Sequence, residues 1–196
     1  TAPSTQEHPN VFVGDTYYNN SEYGFSGVTS NYFYLRGIHA YDNGKSGIYL
    51  TNCENASIQS HPSDISYELI SENNSESGIH IKDSERINIT EYASGAEAYI
   101  RNNGHHGIYL ENSPFCKIKS TDTAERIPIY NNTNHGVYAL ESNYTFVQFT
   151  EAHSNGEDGI QLKDSFYSNL TQSTVRNNTQ NGAHITASSA ANSNNF

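Results

Sequence analysis

The chain is 196 residues long, 34% hydrophobic and 16% charged, with a net charge of −11. That acidity argues against nucleic acid or an anionic membrane as partner, and no apolar run is long enough for a membrane span. The length suits a single domain, residues 1–196, with a narrow core, and no cofactor-binding motif is present.

The chain starts at Thr1 and contains no methionine, as a processed secreted product would. Residues 1–18 carry Pro3, Pro9 and Gly14 and one strand-like run, Val11-Phe12-Val13. They are expected to form an extension or cap ahead of the main fold.

From Asn19 the sequence repeats. Each unit is anchored on a glycine ahead of a short alternating run: Gly24, Gly47, Gly78, Gly107, Gly136, Gly159 and Gly182. The intervals between these glycines run 23, 31, 29, 29, 23 and 23. Periods of this size mark stacked repeats. Four positions before each glycine stands Asn20, Asn43, Asn74, Asn103, Asn132, Asn155 or Asn178. Six positions after it stands Ser30, Cys53, Ser84, Ser113, Ser142, Ser165 or Ser188. Pairs such as Ile48/Leu50, Ile79/Ile81, Ile108/Leu110 and Ile160/Leu162 alternate with polar or aromatic residues, the period of a strand with one buried face.

Laps of this length, rich in short strands and turns and without a helical period, predict an all-β fold. Specifically, they predict a right-handed parallel β-helix (solenoid) of about seven coils over residues 19–186, stacked about 4.8 Å apart. A column in the alignment then becomes a physical pile. The asparagine column is expected to be a structural ladder, because an amide both donates and accepts. The Ser/Cys column marks a tight inward turn.

The motif N-x-x-x-G-I-x-L-x-x-S, running over residues 20–188, resembles the parallel β-helix repeat superfamily. That group includes carbohydrate-binding and sugar-hydrolysing β-helices, a periplasmic copper-delivery family, and modules of archaeal and bacterial surface proteins. The resemblance implies the fold; the repeated residues are scaffold and imply no single activity. The soft methionine ligands of copper delivery are missing, and so are the compact acidic motifs of the epimerase, lyase and polygalacturonase families.

In the first coil Phe25, Phe33, Leu35 and Ile38 are the inward candidates. The next three coils are longer than the others, with the excess near His61–Tyr67, Glu91–Glu97 and Thr121–Arg126. These insertions are expected to project side by side as an acidic rim bearing Asp64, Glu68, Glu91, Glu97, Asp122 and Glu125. Such a rim serves either as the wall of a saccharide groove or as solvated decoration.

Two positions after the glycine, Tyr49, His80, Tyr109 and Tyr138 form an outward column. It reads as a sugar-stacking platform or as a cross-strand ladder worth roughly 0.2–1 kcal/mol per pair. Just before the glycine come His105, His106, His135 and Asp158, expected as water-facing turn residues, with a divalent-metal site as the alternative.

Three positions before the glycine, Ser or Thr alternates strictly with Gly. This places Asn-Asn-Ser/Thr sequons at Asn19, Asn73, Asn131 and Asn177, on every second coil. Asn55, Asn88, Asn143 and Asn169 begin further sequons. Cys53 and Cys116 fall two coils apart, about 9.6 Å along the axis and beyond disulfide reach, so both are expected as buried free thiols. Residues 187–196 form a small, polar tail.

Taken together, the sequence predicts an extracellular or cell-surface location and a structural role. The chain would be a building block of a filament, sheath or surface layer, self-associating partly end to end. The alternative is a carbohydrate-binding or polysaccharide-active β-helix of lyase, epimerase or hydrolase type, with glycans as partner. The scattered carboxylates favour a non-enzymatic role.

Overall fold

The computed structural model describes residues 9–61, 64, 66–92 and 97–188. Those residues form 21 short strands in three seven-stranded sheets, in which every pairing is parallel. The chain visits sheets A, B and C in turn, seven times, and each strand pairs with its counterpart one lap away. The fourth lap illustrates the path: Asn88–Glu91 in sheet A, Ala98–Arg101 in sheet B, Ile108–Glu111 in sheet C. This is a right-handed parallel β-helix of seven coils.

Alternation along each strand decides which side chains enter. In sheet C, Ile79/Ile81, Ile108/Leu110, Val137/Ala139 and Ile160/Leu162 are buried, and the residues between them face outward. Leu35, Ile58, Ile89, Ile118 and Val147 do the same in sheet A. A period of two with one face buried pins the register, because a slip of one residue would turn every isoleucine into solvent.

The corners use the left-handed backbone. Ahead of each sheet-C strand stand Asn19, Asp42, Asn73, Asn102, Asn131, Ser154 and Asn177, all with φ of 54–56°. Past the same strands, Asn52, Asp83, Asn112 and Asp164 have φ of 46–52°. Asn and Asp tolerate this region better than other residues with a Cβ. Part of the chain's asparagine richness is therefore a backbone requirement.

A second set of asparagines points inward. Asn20, Asn43, Asn74, Asn103, Asn132, Asn155 and Asn178 lie one above another, each Nδ2 donating to the next Oδ1 at 2.9–3.0 Å. Each Oδ1 also accepts the backbone N–H of the preceding asparagine, at 3.0–3.2 Å. The second Nδ2 hydrogen of Asn103 goes to the Ser71 carbonyl. The anchor glycines make room for this pile: a Cβ on Gly107 would press on the Gly136 carbonyl at 2.6 Å and on Asn132 Nδ2 at 2.8 Å.

The serine column is another ladder. The N–H groups of Cys53, Ser84, Ser113 and Ser142 donate to the hydroxyls of Ser84, Ser113, Ser142 and Ser165 at 3.0–3.2 Å. Cys53 and Cys116 are buried free thiols, and burial pushes Cys116 up to about 12.

Residues 10–18 differ from the expected extension. Asn10–Val13 and Thr16–Tyr18 are strands of the first lap, paired with Phe33–Arg36 and His39–Tyr41. All four residues of Asn10–Val13 are exposed, unlike Phe33–Arg36 beside them, whose alternate side chains are buried. Residues 1–8 and 189–196, on which the reading of the outer extension and tail rests, lie outside the described residues.

Candidate functional site

The three insertions leave the solenoid at one corner, between sheets A and B, in consecutive laps. Glu97 and Glu125 are exposed there. Residues 62, 63, 65 and 93–96 of the expected rim lie outside the described residues. The first insertion folds back over the first two laps, where Tyr67 packs so closely on Gly14 and Gly37 that a Cβ at either would collide with it.

Glu91 departs from the expectation of a rim acid. It pairs with Ser120 in sheet A at the inward register and is 2% exposed. Burial is the main force raising its pKa to about 7; Glu125 and Glu97 push the same way, while hydrogen bonds from Ala98 and Ser120 oppose them. Its Oε2 has no hydrogen-bond partner among the described residues. The folded state therefore holds a proton that the unfolded chain gives up near 4.5, and the contribution of Glu91 to stability falls as pH rises from 4.5 to 7. Glu91→Gln is expected to stabilise the protein at pH 8 by on the order of 2 kcal/mol and to leave pH 4 almost unaffected. Urea titrations at the two pH values check this; equal shifts at both would show that Glu91 is not neutral in the fold.

The outward face of sheet C carries the most developed surface. Tyr49, His80, Tyr109 and Tyr138 lie on neighbouring laps, half-buried and in ring contact. His80 and Tyr109 stack at 4.5 Å and 19°, and Tyr109 and Tyr138 at 5.3 Å and 11°. Tyr49 meets His80 edge-on at 5.2 Å, and Tyr23 extends the row by stacking on Tyr49 at 4.4 Å. Beside them His80 Nε2 lies 3.3 Å from Glu111, which also accepts from Lys82 Nζ at 2.7 Å.

A cleft of about 390 Å³ opens against this row. Ser75, Glu76, Ser77, Gly104 and His105 supply the turn side, and His80 and Tyr109 the sheet side. Burial lowers the His80 pKa against the opposing pull of Glu111, which leaves a neutral imidazole at pH 7. Burial, helped by Glu111, pushes Tyr109 up to about 12, so its hydroxyl keeps its proton. The cleft thus offers aromatic rings, a phenol, the neutral His80 imidazole, the His105 ring and the Glu76 side chain. Such a set stacks on apolar ring faces and hydrogen-bonds hydroxyl groups.

Of the residues just before the glycine, His105 is exposed, and the other three depart from the expectation of water-facing turn residues. His106, His135 and Asp158 are 3%, 7% and 1% exposed, and they form an interior ladder of their own. The His135 N–H donates to His106 Nδ1 at 3.3 Å, and the Asp158 N–H to His135 Nδ1 at 3.0 Å. The Asn181 N–H and side chain donate to Asp158 Oδ1 at 2.8 and 2.7 Å. The turn points inward because these side chains supply acceptors for backbone N–H groups that the parallel ladder leaves over. Both Nδ1 atoms are thereby spent, and Asp158 Oδ2 lies 3.1 Å from His184. Among the described residues no group of three His, Cys, Asp or Glu is disposed to hold a metal ion.

One surface row was missed in the sequence. Phe115, Tyr144 and Tyr167 stack at 4.8 and 5.1 Å on consecutive laps, with Arg86 over Phe115. All four have φ of 56–59°, which costs bulky residues of order 1–3 kcal/mol each. Eight positions after each anchor glycine the column is plain in the sequence. Its significance lies in the backbone conformation, which the letters do not show.

The fold and these ladders define the class: a β-helix with a scaffold of internal side-chain stacks and an aromatic row on the outer face of sheet C. Residues 68–196 match the right-handed β-helix region, and the chain belongs to that family. Among curated proteins none matches the sequence. Two solved structures share the fold, the A-modules of the mannuronan C-5 epimerases AlgE4 and AlgE6 of Azotobacter vinelandii. Each is 18% identical with a TM-score of 0.57, covering 76% and 80% of this chain and 36% and 39% of theirs. The chain thus spans under two-fifths of those modules, and at this identity the likeness is one of fold.

Proposed function

We propose that this chain is an extracellular saccharide-binding β-helix that lays a glycan along the Tyr49–His80–Tyr109–Tyr138 row. The observation that carries the reading is this row of half-buried rings beside a 390 Å³ cleft lined by hydroxyls, imidazoles and Glu76. One lap per ring gives a repeat of about 4.8 Å, the scale of a sugar unit in an extended chain. The C–H face of a pyranose packs on the rings, and its hydroxyls meet Ser75, Glu76 and His105. Structural neighbours named as mannuronan epimerases lend the substrate class support.

Tyr109 is central to the row. Tyr109→Ala is expected to weaken polysaccharide binding about tenfold, the loss of roughly 1.4 kcal/mol. Its melting point should change little, because the ring is only half-buried. Affinity electrophoresis against a panel of neutral and acidic polysaccharides reads the effect. Unchanged mobility of wild type across the whole panel would remove the proposal.

End-to-end self-association, as in a filament, sheath or surface layer, is a second reading. One observation favours it: Val11, Phe12, Val13 and Ile185 are exposed on first- and last-lap strands that have one hydrogen-bonded neighbour each among the described residues. Light scattering over a concentration series tests it, and a constant monomer mass would exclude it.

A further inference from the structure

We propose that the turn ahead of sheet C carries a row of N-linked glycans on alternate laps, at Asn19, Asn73, Asn131 and Asn177. Each begins an Asn-x-Ser/Thr sequon. All four stand at the same corner with φ of 54–55°, exposed to solvent. None of their side-chain amides is hydrogen-bonded to another group among the described residues. The structure also explains why the row skips laps. A Cβ on Gly44, Gly104 or Gly156 would fall on the carbonyl oxygen of Ser21, Ser75 or Thr133 in the lap before. Glycine is therefore required on every second lap at the third sequon position. The same packing that tightens these turns spaces the sequons about 9.6 Å apart. A spacing of one lap would crowd neighbouring glycans; two laps relieve it.

Three of the other sequons lack this arrangement. Asn55 Nδ2 donates to Glu54 at 3.0 Å, and Asn143 Oδ1 accepts the Phe166 N–H at 2.7 Å. Asn88 lies mid-sheet between Ser57 and Lys117, where a glycan would overlie its neighbours. Asn169 is exposed but sits on the last-lap strand of sheet A, off the row. The hydroxyls of Thr133 and Thr179 donate to the Asn103 and Asn155 carbonyls at 3.2 Å. Sugar transfer at those two sites therefore precedes closure of the lap.

Glycopeptide mapping of the protein taken from its native cells tests the row. The expected result is carbohydrate on Asn19, Asn73, Asn131 and Asn177, with Asn55, Asn88 and Asn143 bare. Peptides carrying bare asparagine at all four positions would overturn the proposal. So would carbohydrate confined to positions off the row. Ser75→Ala in the same cells should remove the glycan from Asn73 alone, and retention of that glycan would count equally against it. Saccharide binding is measured on bare recombinant protein, so the two proposals fail independently.

Discussion

Asn103→Ala is expected to lower stability by roughly 3–5 kcal/mol, a large share of the 5–15 kcal/mol that holds a typical domain together. Four hydrogen bonds converge on this amide: Nδ2 donates to Asn132 Oδ1 and the Ser71 carbonyl, and Oδ1 accepts the Asn74 N–H and Nδ2. Asn103 is 1% exposed, so no water replaces what is removed. Each buried group left unpaired costs about 1–3 kcal/mol. Part is recovered, because Asn74 Nδ2 also reaches the Ala40 carbonyl and Ser71 Oγ. Asn103→Asp should fare no better, since it keeps the acceptor but loses the donor and buries a charge. At the end of the pile, Asn178→Ala should cost clearly less, because Asn178 is half-buried and has no asparagine beyond it. Urea denaturation of the three variants gives the ranking. A loss below about 1 kcal/mol for Asn103→Ala would show that the amides stack without supporting the fold.

Acid should loosen the same region through the histidines. Burial, reinforced by His105, His135 and His80, lowers His106 to about 2, and burial also lowers His135 against the pull of Glu157 and Asp158. The unfolded chain binds a proton on each near pH 6.5, and the folded chain resists it. Between those values the unfolded state holds more protons on these two histidines, so their contribution to stability rises with pH and is complete above about 6.5. Each pH unit below that removes up to about 1.4 kcal/mol per histidine, which for His106 makes a loss of about 2.7 kcal/mol by pH 4.5.

The geometry gives this loss a place. Protonating Nδ1 of His106 removes the acceptor for the His135 N–H, and protonating His135 does the same to Asp158. The charged and titratable groups around the pair are His105, His80, Tyr109, Tyr138, Glu157, Asp158 and His184. Of these, Glu157 and Asp158 favour the charged form of His135 and moderate its share of the loss. His106→Asn supplies an uncharged acceptor in the same column, where the Asp158 carboxylate already accepts from Asn181. It should flatten the fall in melting temperature between pH 6.5 and 4.5. An unaltered slope in that variant would place the acid sensitivity elsewhere.

The parts of the site that were legible in the sequence are those whose chemistry is written in residue type at a fixed period. Tyr49, His80, Tyr109 and Tyr138 were readable as an outward row because strand alternation dictates sidedness. His106 and His135 were placed on the wrong side because a corner has no such alternation. There, left-handed residues decide where the next side chain points. Glu91 misled for a related reason: it ends a strand next to an insertion, and a carboxylate near a loop reads as exposed. The aromatic row of Phe115, Tyr144 and Tyr167 is visible as residue types, but the left-handed backbone that sets it apart is not.

By itself the sequence determined the lap, the register and the central pile. Glycines and asparagines recurring at fixed offsets leave one arrangement in which every buried amide is satisfied. Only the tertiary structure decided which corner residues turn inward, how far the inserted loops fold back, and that alternate glycines relieve a clash between successive turns. Those outcomes depend on contacts between laps that are distant along the chain and on backbone angles at the corners. Neither is carried by the identity of any single residue.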